Sequence, residues 1–275
     1  MPNFIVGARL HDYGKGTPDE LFRKVSADGF AAVQLAYKKC VPTVKSYADV
    51  TDALVAETVA AEKAHHIQVA VLGTYVELAI NDESRLCNVA DFKSQLAVCK
   101  ALGAGCIGTE TTAMSKQPAG TTRAQAQELL CRSLAEILPA AEALGVTVGI
   151  EPVTYHSMNS AAATRHILDT MRSPNLKVIF DMSNLVSAEN VDAQDRIWYD
   201  MGALLGDQIV AVHFKGQAFA PDGSLLHTSL EESRTDYAGA FAMLRQLPQP
   251  ALPVLREEAV PARAASDIAF MKGFF

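Results

Sequence analysis

Short apolar runs alternate with longer amphipathic ones along the whole chain. The short runs are FIVGAR (4–9), AAVQLA (31–36), IQVAVLG (67–73), GCIGTE (105–110), VTVGIE (146–151), LKVIFD (176–181), IVAVHF (209–214) and PVLREE (253–258). Most are continuous rather than alternating, and several are rich in Val and Ile, which is how strands covered on both faces read. Helices are predicted between them over 18–28, 50–66, 84–102, 121–144, 160–172, 192–205, 235–246 and 261–273. The clearest is TTRAQAQELLCRSLAEILPAAEALG, with Thr121 or Thr122 as N-cap and Gly145 as its stop. Strand–helix alternation of this kind, repeated eight times without a break in composition, predicts a single α/β domain over 1–275, a (β/α)8 barrel. An open doubly wound sheet would favour a Gly-rich phosphate turn after the first strand. Here that strand runs into LHDYGKG, which is neither GxGxxG nor a Walker loop. The longest irregular stretch, 217–234, follows the seventh strand, on the face where barrel active sites are built, and reads as a lid or binding loop.

Four of the apolar runs end on residues that can bind a metal: Glu151, Asp181, His213, and Glu257 or Glu258. Side-chain alternation along a strand tests whether these point inward. If Glu151 does, Thr147 and Gly149 share its face while Val148 and Ile150 pack outward. Asp181 shares a face with Ile179, and His213 with Ala211 and Ile209. In the last strand, Glu258 inward would also turn Arg256 inward, where an unpartnered guanidinium is costly, so Glu257 is preferred. A single acidic strand end is usually a solvated carboxylate. Four on successive strands converge on half a rim, as an O/O/N/O donor set without thiolates. Hard donors of that kind suit one divalent ion, Mn²⁺, Mg²⁺ or Co²⁺ rather than a structural Zn²⁺.

Composition narrows the classes. The chain has 275 residues, 49% hydrophobic and 20% charged, within the range of ordinary globular domains. A net charge of −7 without any basic block argues against a nucleic-acid or membrane partner. Five cysteines (Cys40, Cys87, Cys99, Cys106, Cys131) without a CxxC pair fit free thiols in a reducing compartment. The opening MPNFIVGARLHDYG lacks a secretory pattern, and no apolar run is long enough to span a membrane. A cytoplasmic location follows as the expectation, and a homo-oligomer is compatible with it.

IEP, FDMSN, HFK and the terminal EE, in this order and with GARLHDYG, LGTYVELA and GTET before them, resemble the xylose-isomerase-like barrels of the sugar phosphate isomerase/epimerase superfamily. The resemblance covers nearly the whole chain. It implies that Glu151, Asp181, His213 and Glu257 bind one divalent metal, Mn²⁺ by preference and Mg²⁺, Co²⁺ or Zn²⁺ otherwise. It also implies that Glu151 and Glu257 are the catalytic acid and base on a small carbohydrate substrate. Proton abstraction beside a carbonyl would give a metal-stabilised cis-enediolate. Opposite-face return makes an epimerase, return to the neighbouring carbon an isomerase, and loss of a β-hydroxyl an inosose-type dehydratase. A sugar-binding barrel without activity is the alternative from another class. An apurinic-site endonuclease on this barrel would need more rim histidines than this acidic chain supplies.

Further rim residues are candidate substrate contacts: His156, Asn184, Glu110 and Lys215. Related epimerases often carry a histidine where Asn184 stands, which weakens a direct transfer of ketohexose 3-epimerase specificity. Lys215 reads either as a counter-charge to an enediolate, as a partner of Glu257, or as a surface lysine. Arg9, His11, Gln34 and Tyr75 complete the rim, and His227 belongs to the long loop. His65, His66 and His166 fall in predicted helices and read as structural.

Overall fold

The computed structural model describes residues 1–80 and 82–275, with the backbone alone for Asp82. The strands are β1 (Asn3–Arg9), β2 (Ala32–Leu35), β3 (Gln68–Gly73), β4 (Cys106–Glu110), β5 (Val148–Glu151), β6 (Leu176–Asp181) and β7 (Ile209–Phe214). A hairpin of β8 (Gly216–Phe219) and β9 (Leu225–Thr228) follows, and then β10 (Ala251–Arg256). The helices are α1 (Pro18–Ala27), the single turn α2 (Tyr37–Cys40), α3 (Asp52–His65), α4 (Asp82–Leu102) and α5 (Arg123–Leu144). They continue with α6 (Ala161–Met171), α7 (Gln194–Leu205), α8 (Tyr237–Leu244) and α9 (Ala264–Lys272). Parallel pairing in the order β1-β10-β7-β6-β5-β4-β3-β2 closes the barrel predicted from the pattern. Among the described residues, no helix is long and apolar enough to cross a membrane.

Helix ends follow local chemistry. In α5 the Thr122 hydroxyl accepts from the Gln125 backbone while the Gln125 side chain accepts from Thr122 N, a capping box. Gly145 then ends the helix at φ 68°, in the left-handed region that a Cβ disfavours.

Two hydrophobic layers form. The larger lies between strands and helices and includes Val148, Ile150, Val178, Phe180 and Val212. The smaller fills the barrel with Ala32, Ala70, Val71, Cys106, Ile179, Ala211 and Leu255. The interior is narrow enough that a Cβ on Gly108 would come within 2.4 Å of the Ile179 side chain. This apolar plug leaves polar side chains only the mouth of the barrel.

Two expectations change. Ile209 packs in the outer layer rather than beside Ala211, because the β6–β7 register slips: Val178 pairs with Ile209, but Ile179 pairs with Ala211. The extra residue, Val210, packs against the inner cluster instead. The stretch 217–234 is also not irregular throughout: its first half forms the antiparallel hairpin with Gln217 opposite His227.

Arg256 is buried after all, but on the outer face, where its Nε donates to Asp267 Oδ2 of α9 at 2.8 Å. Its other end donates to the Glu257 carbonyl. This pair ties the end of β10, and hence Glu257, to the helix layer. Asp267→Ala is expected to lower stability by roughly 3–5 kcal/mol in denaturant titration, because it strands a buried guanidinium. Replacing both partners with leucine should recover much of that loss. A single mutant as stable as the parent would mean that the pair holds nothing.

Candidate active site

Glu151, Asp181, His213 and Glu257 meet at the C-terminal mouth, only 3, 0, 2 and 4% exposed. Register sets their height: Glu110 pairs with Glu151 across β4–β5, and Asp181 with His213 across β6–β7. Leu255 pairs with His213, so Glu257, one alternation further on, sits just above that level on the same face. Pro152 follows Glu151 and has no N–H with which to prolong the ladder. Glu258 instead takes φ 56° and turns to the rim, where His227 Nδ1 lies 2.5 Å from its Oε2.

Donor atoms of Glu151, Asp181 and His213 all lie within 4.8 Å of one another. His213 Nδ1 lies 3.1 Å from Glu151 Oε2 and 3.4 Å from Glu257 Oε1, and its Nε2 has no hydrogen-bond partner. A buried imidazole among carboxylates, with nothing behind it, fits a divalent cation held by hard donors.

Lys215 is buried rather than a surface lysine. Its ammonium lies 3.0 Å from Asp181 Oδ2 and 3.8 Å from Glu257 Oε2 and donates to Asn184 Oδ1 at 2.8 Å. Its carbonyl accepts from Ser183 Oγ at 2.7 Å and from the Tyr237 hydroxyl at 2.8 Å, which fixes the stem. Asn184 acts as a hub. Its backbone N–H donates to Asp181 Oδ1 at 2.9 Å and its Nδ2 to Glu151 Oε1 at 2.5 Å, while Oδ1 accepts from the Lys215 ammonium.

The remaining rim residues divide. Arg9 is clamped by Asp12 and reaches Glu257 Oε2 at 3.7 Å. Gln34 Nε2 donates to the Tyr75 hydroxyl at 2.8 Å and approaches Glu257 Oε1 at 3.5 Å. His11 packs edge-on against Tyr75. His156 is buried, with Nε2 at 3.9 Å from Glu110 Oε2. Of the other histidines, His65 pairs with Asp19, His66 caps α3 with φ 54°, and His166 is exposed on α6. Sequence reading missed Tyr155, which shares the rim with His156; the only signal was its position in the polar-rich loop after Glu151.

The electrostatics separate the carboxylates. Burial raises Glu151, against the pull of His213. Burial would also raise Glu257, but His213, Lys215 and Arg9 outweigh it and hold it at about 2. Glu110 is raised to about 8 by burial and by Glu151 beside it. His213 is lifted to about 9: burial opposes its charge, but Glu257 and Glu151 favour it more strongly. A raised value means that the proton stays below about pH 9 and must leave before the ring can ligate. Cation uptake at pH 7.5 should therefore release protons and tighten as the pH rises. Calorimetric titration with Mn²⁺ should give heats that follow the ionisation enthalpy of the buffer. Equal heats in phosphate and Tris would contradict a protonated His213.

A family model described as xylose isomerase-like TIM barrel matches residues 22–273. No curated protein matches the chain. Among solved structures, the apo form of 3-keto-D-glucoside 4-epimerase YcjR from E. coli superposes with a TM-score of 0.73 at 17% identity, covering 98% of this chain and 100% of that one. A D-tagatose 3-epimerase-like protein gives 0.77 at 13% identity, covering 100% and 97%. The IOLI protein with a bound zinc atom gives 0.75 at 15%, covering 100% and 96%. Those identities speak for shared architecture alone. The family match spans nearly all of the sequence and the barrel closes in the corresponding order, so this chain belongs to the xylose isomerase-like TIM barrel family.

Proposed function

We propose that the protein is a divalent-metal-dependent epimerase or isomerase of a small carbohydrate bearing a carbonyl group. The observation that carries this reading is the pair of buried carboxylates, Glu151 and Glu257, both within 3.4 Å of His213 Nδ1. Glu151, Asp181, His213 and Glu257 would hold the ion, and their mostly oxygen donors favour Mn²⁺. A bound cation there supplies positive charge that stabilises an enediolate as the proton next to the carbonyl leaves.

The protein's own groups do the rest. One of the two glutamates takes the proton from carbon, and the other delivers one. Their environments differ in the sense such a pair needs, with Glu257 held down at about 2 and Glu151 raised. Lys215, already 3.0 Å from Asp181, adds a fixed positive charge where negative charge grows on substrate oxygen. Asn184 keeps Lys215 and Glu151 in register with each other, and the apolar plug beneath keeps water from entering below. Neighbours of the same fold act on a 3-keto-glucoside or resemble a tagatose 3-epimerase, which supports a ketose or keto-sugar substrate.

The test is solvent exchange. With Mn²⁺ in D₂O, the protein should wash deuterium into at least one compound of a panel of ketohexoses, keto-cyclitols and 3-keto-glucosides. Glu151→Gln should slow that exchange by roughly 10²–10⁴-fold while leaving the fold intact by circular dichroism. Exchange at the parent rate in the mutant would remove Glu151 from the mechanism.

A further inference from the structure

The buried carboxylates are nearly sealed from solvent, and so is the space beside them. Above the plug, next to Glu151, His213 and Glu257, only about 10 Å³ is open, room for one water molecule. A hollow of about 430 Å³ lies just outside it. The two share Tyr75, Thr109 and Glu110 as a common wall. A substrate carbonyl cannot reach the carboxylates unless part of that wall moves.

The chain decides which part is free to do so. Every residue around the inner space lies in a barrel strand except Glu257, which directly follows β10, and Tyr75, which hangs on the loop after β3. Thr109 is tied down further, its hydroxyl donating to the Val76 carbonyl at 2.9 Å. Glu110 ends β4 with its side chain already 39% exposed. The ring of Tyr75 is the piece that remains.

The backbone at Tyr75 is fixed, and its ring is not. Thr74 N and Oγ1 donate to the Gly108 carbonyl at 2.9 and 3.1 Å, and the Tyr47 hydroxyl donates to the Thr74 carbonyl. On the other side, Val76 is held by Thr109. Tyr75 itself sits at φ 56°, in the left-handed region that a tyrosine rarely occupies. Its ring folds back over the strand end, where Gly73 leaves room for it: a Cβ there would stand 3.3 Å from Tyr75 Cε2. Only side chains keep the ring in that place. Gln34 Nε2 donates to its hydroxyl at 2.8 Å, Lys39 Nζ lies 3.2 Å from its centroid, and His11 meets it edge-on. A hydrogen bond between neutral groups and a cation–π contact from an exposed lysine are both modest, so the ring can leave without disturbing the barrel.

We infer that Tyr75 is a gate, latched by Gln34 and Lys39, whose ring swings away to join the outer hollow to the metal ligands. Ion and substrate would pass the same point. This rests on the metal-dependent reading above.

Release of Co²⁺ into excess EDTA, followed by visible absorption, reads the gate without any carbohydrate. Tyr75→Ala should speed release and uptake together by at least ~10-fold, leaving Kd within about 3-fold of the parent. Lys39→Met keeps the apolar stem but removes the latch, and should speed release by at least ~3-fold. Loss of a nearby positive charge would by itself tighten cation binding and slow release, so the sign separates latch from charge. Should Tyr75→Ala fail to fold by circular dichroism, Lys39→Met decides alone. Release at or below the parent rate in either folded variant, or a weaker Kd with unchanged uptake, overturns the gate even if carbohydrates exchange deuterium. If release responds to both variants while no compound in the panel exchanges, the gate stands and the proposed reaction falls.

Discussion

Carboxylates do not gather in a dry place without a reason. Two unit charges about 4 Å apart repel by roughly 4 kcal/mol at an effective dielectric of about 20, before any loss of hydration. Here Glu151, Asp181 and Glu257 are all buried, and Glu110 stands next to Glu151. The cluster is tolerable because His213 lies between two of them, Lys215 reaches Asp181 and Glu257, and Arg9 approaches Glu257 from outside. Two of the compensating groups are themselves held by further contacts: Arg9 by Asp12, and Lys215 by Asn184, Ser183 and Tyr237. The architecture of the mouth is a consequence of that balance. A parallel barrel delivers all its strand ends to one face, and an apolar plug makes the mouth the only level at which polar groups can collect.

The alternation of apolar runs made the barrel legible, because strands sandwiched between plug and helices must be apolar on both faces. The four strand ends were legible for the same reason, since charge at the end of such a run has few places to go. What sequence could not carry was anything set by register or by distant partners. Ile209 faces outward because β7 gains a residue against β6, and a slip of one residue leaves no mark in composition. Burial of Arg256 looked prohibitive until α9 supplied Asp267, eleven residues on. Lys215 left three readings open in the sequence, and only the convergence of β6, β7 and β10 makes it an internal cation beside Asp181 and Glu257. Tyr155 gave no signal beyond its place in the loop after Glu151, because exposure of a ring is a property of the loop's hydrogen bonds and not of the residue.

The shared fold leaves the chemistry open, and the details of this mouth narrow it. Asn184 donates to Glu151 and accepts from Lys215 at once, while its backbone serves Asp181. Its side-chain amide is therefore committed inside the cluster, and less of it remains for a substrate hydroxyl than the sequence position alone would imply. Outside the cluster, Glu110, His156, Tyr75 and Tyr155 line an open hollow.

The central claim is that this balance of buried charge is completed by a divalent ion. Anomalous diffraction from crystals soaked in Mn²⁺ tests it most directly. The account predicts one strong peak between Glu151, Asp181, His213 and Glu257, with bonds of about 2.0–2.6 Å to their oxygen and nitrogen atoms. A mouth that shows no peak at saturating Mn²⁺, with Lys215 still bridging Asp181 and Glu257, would contradict it.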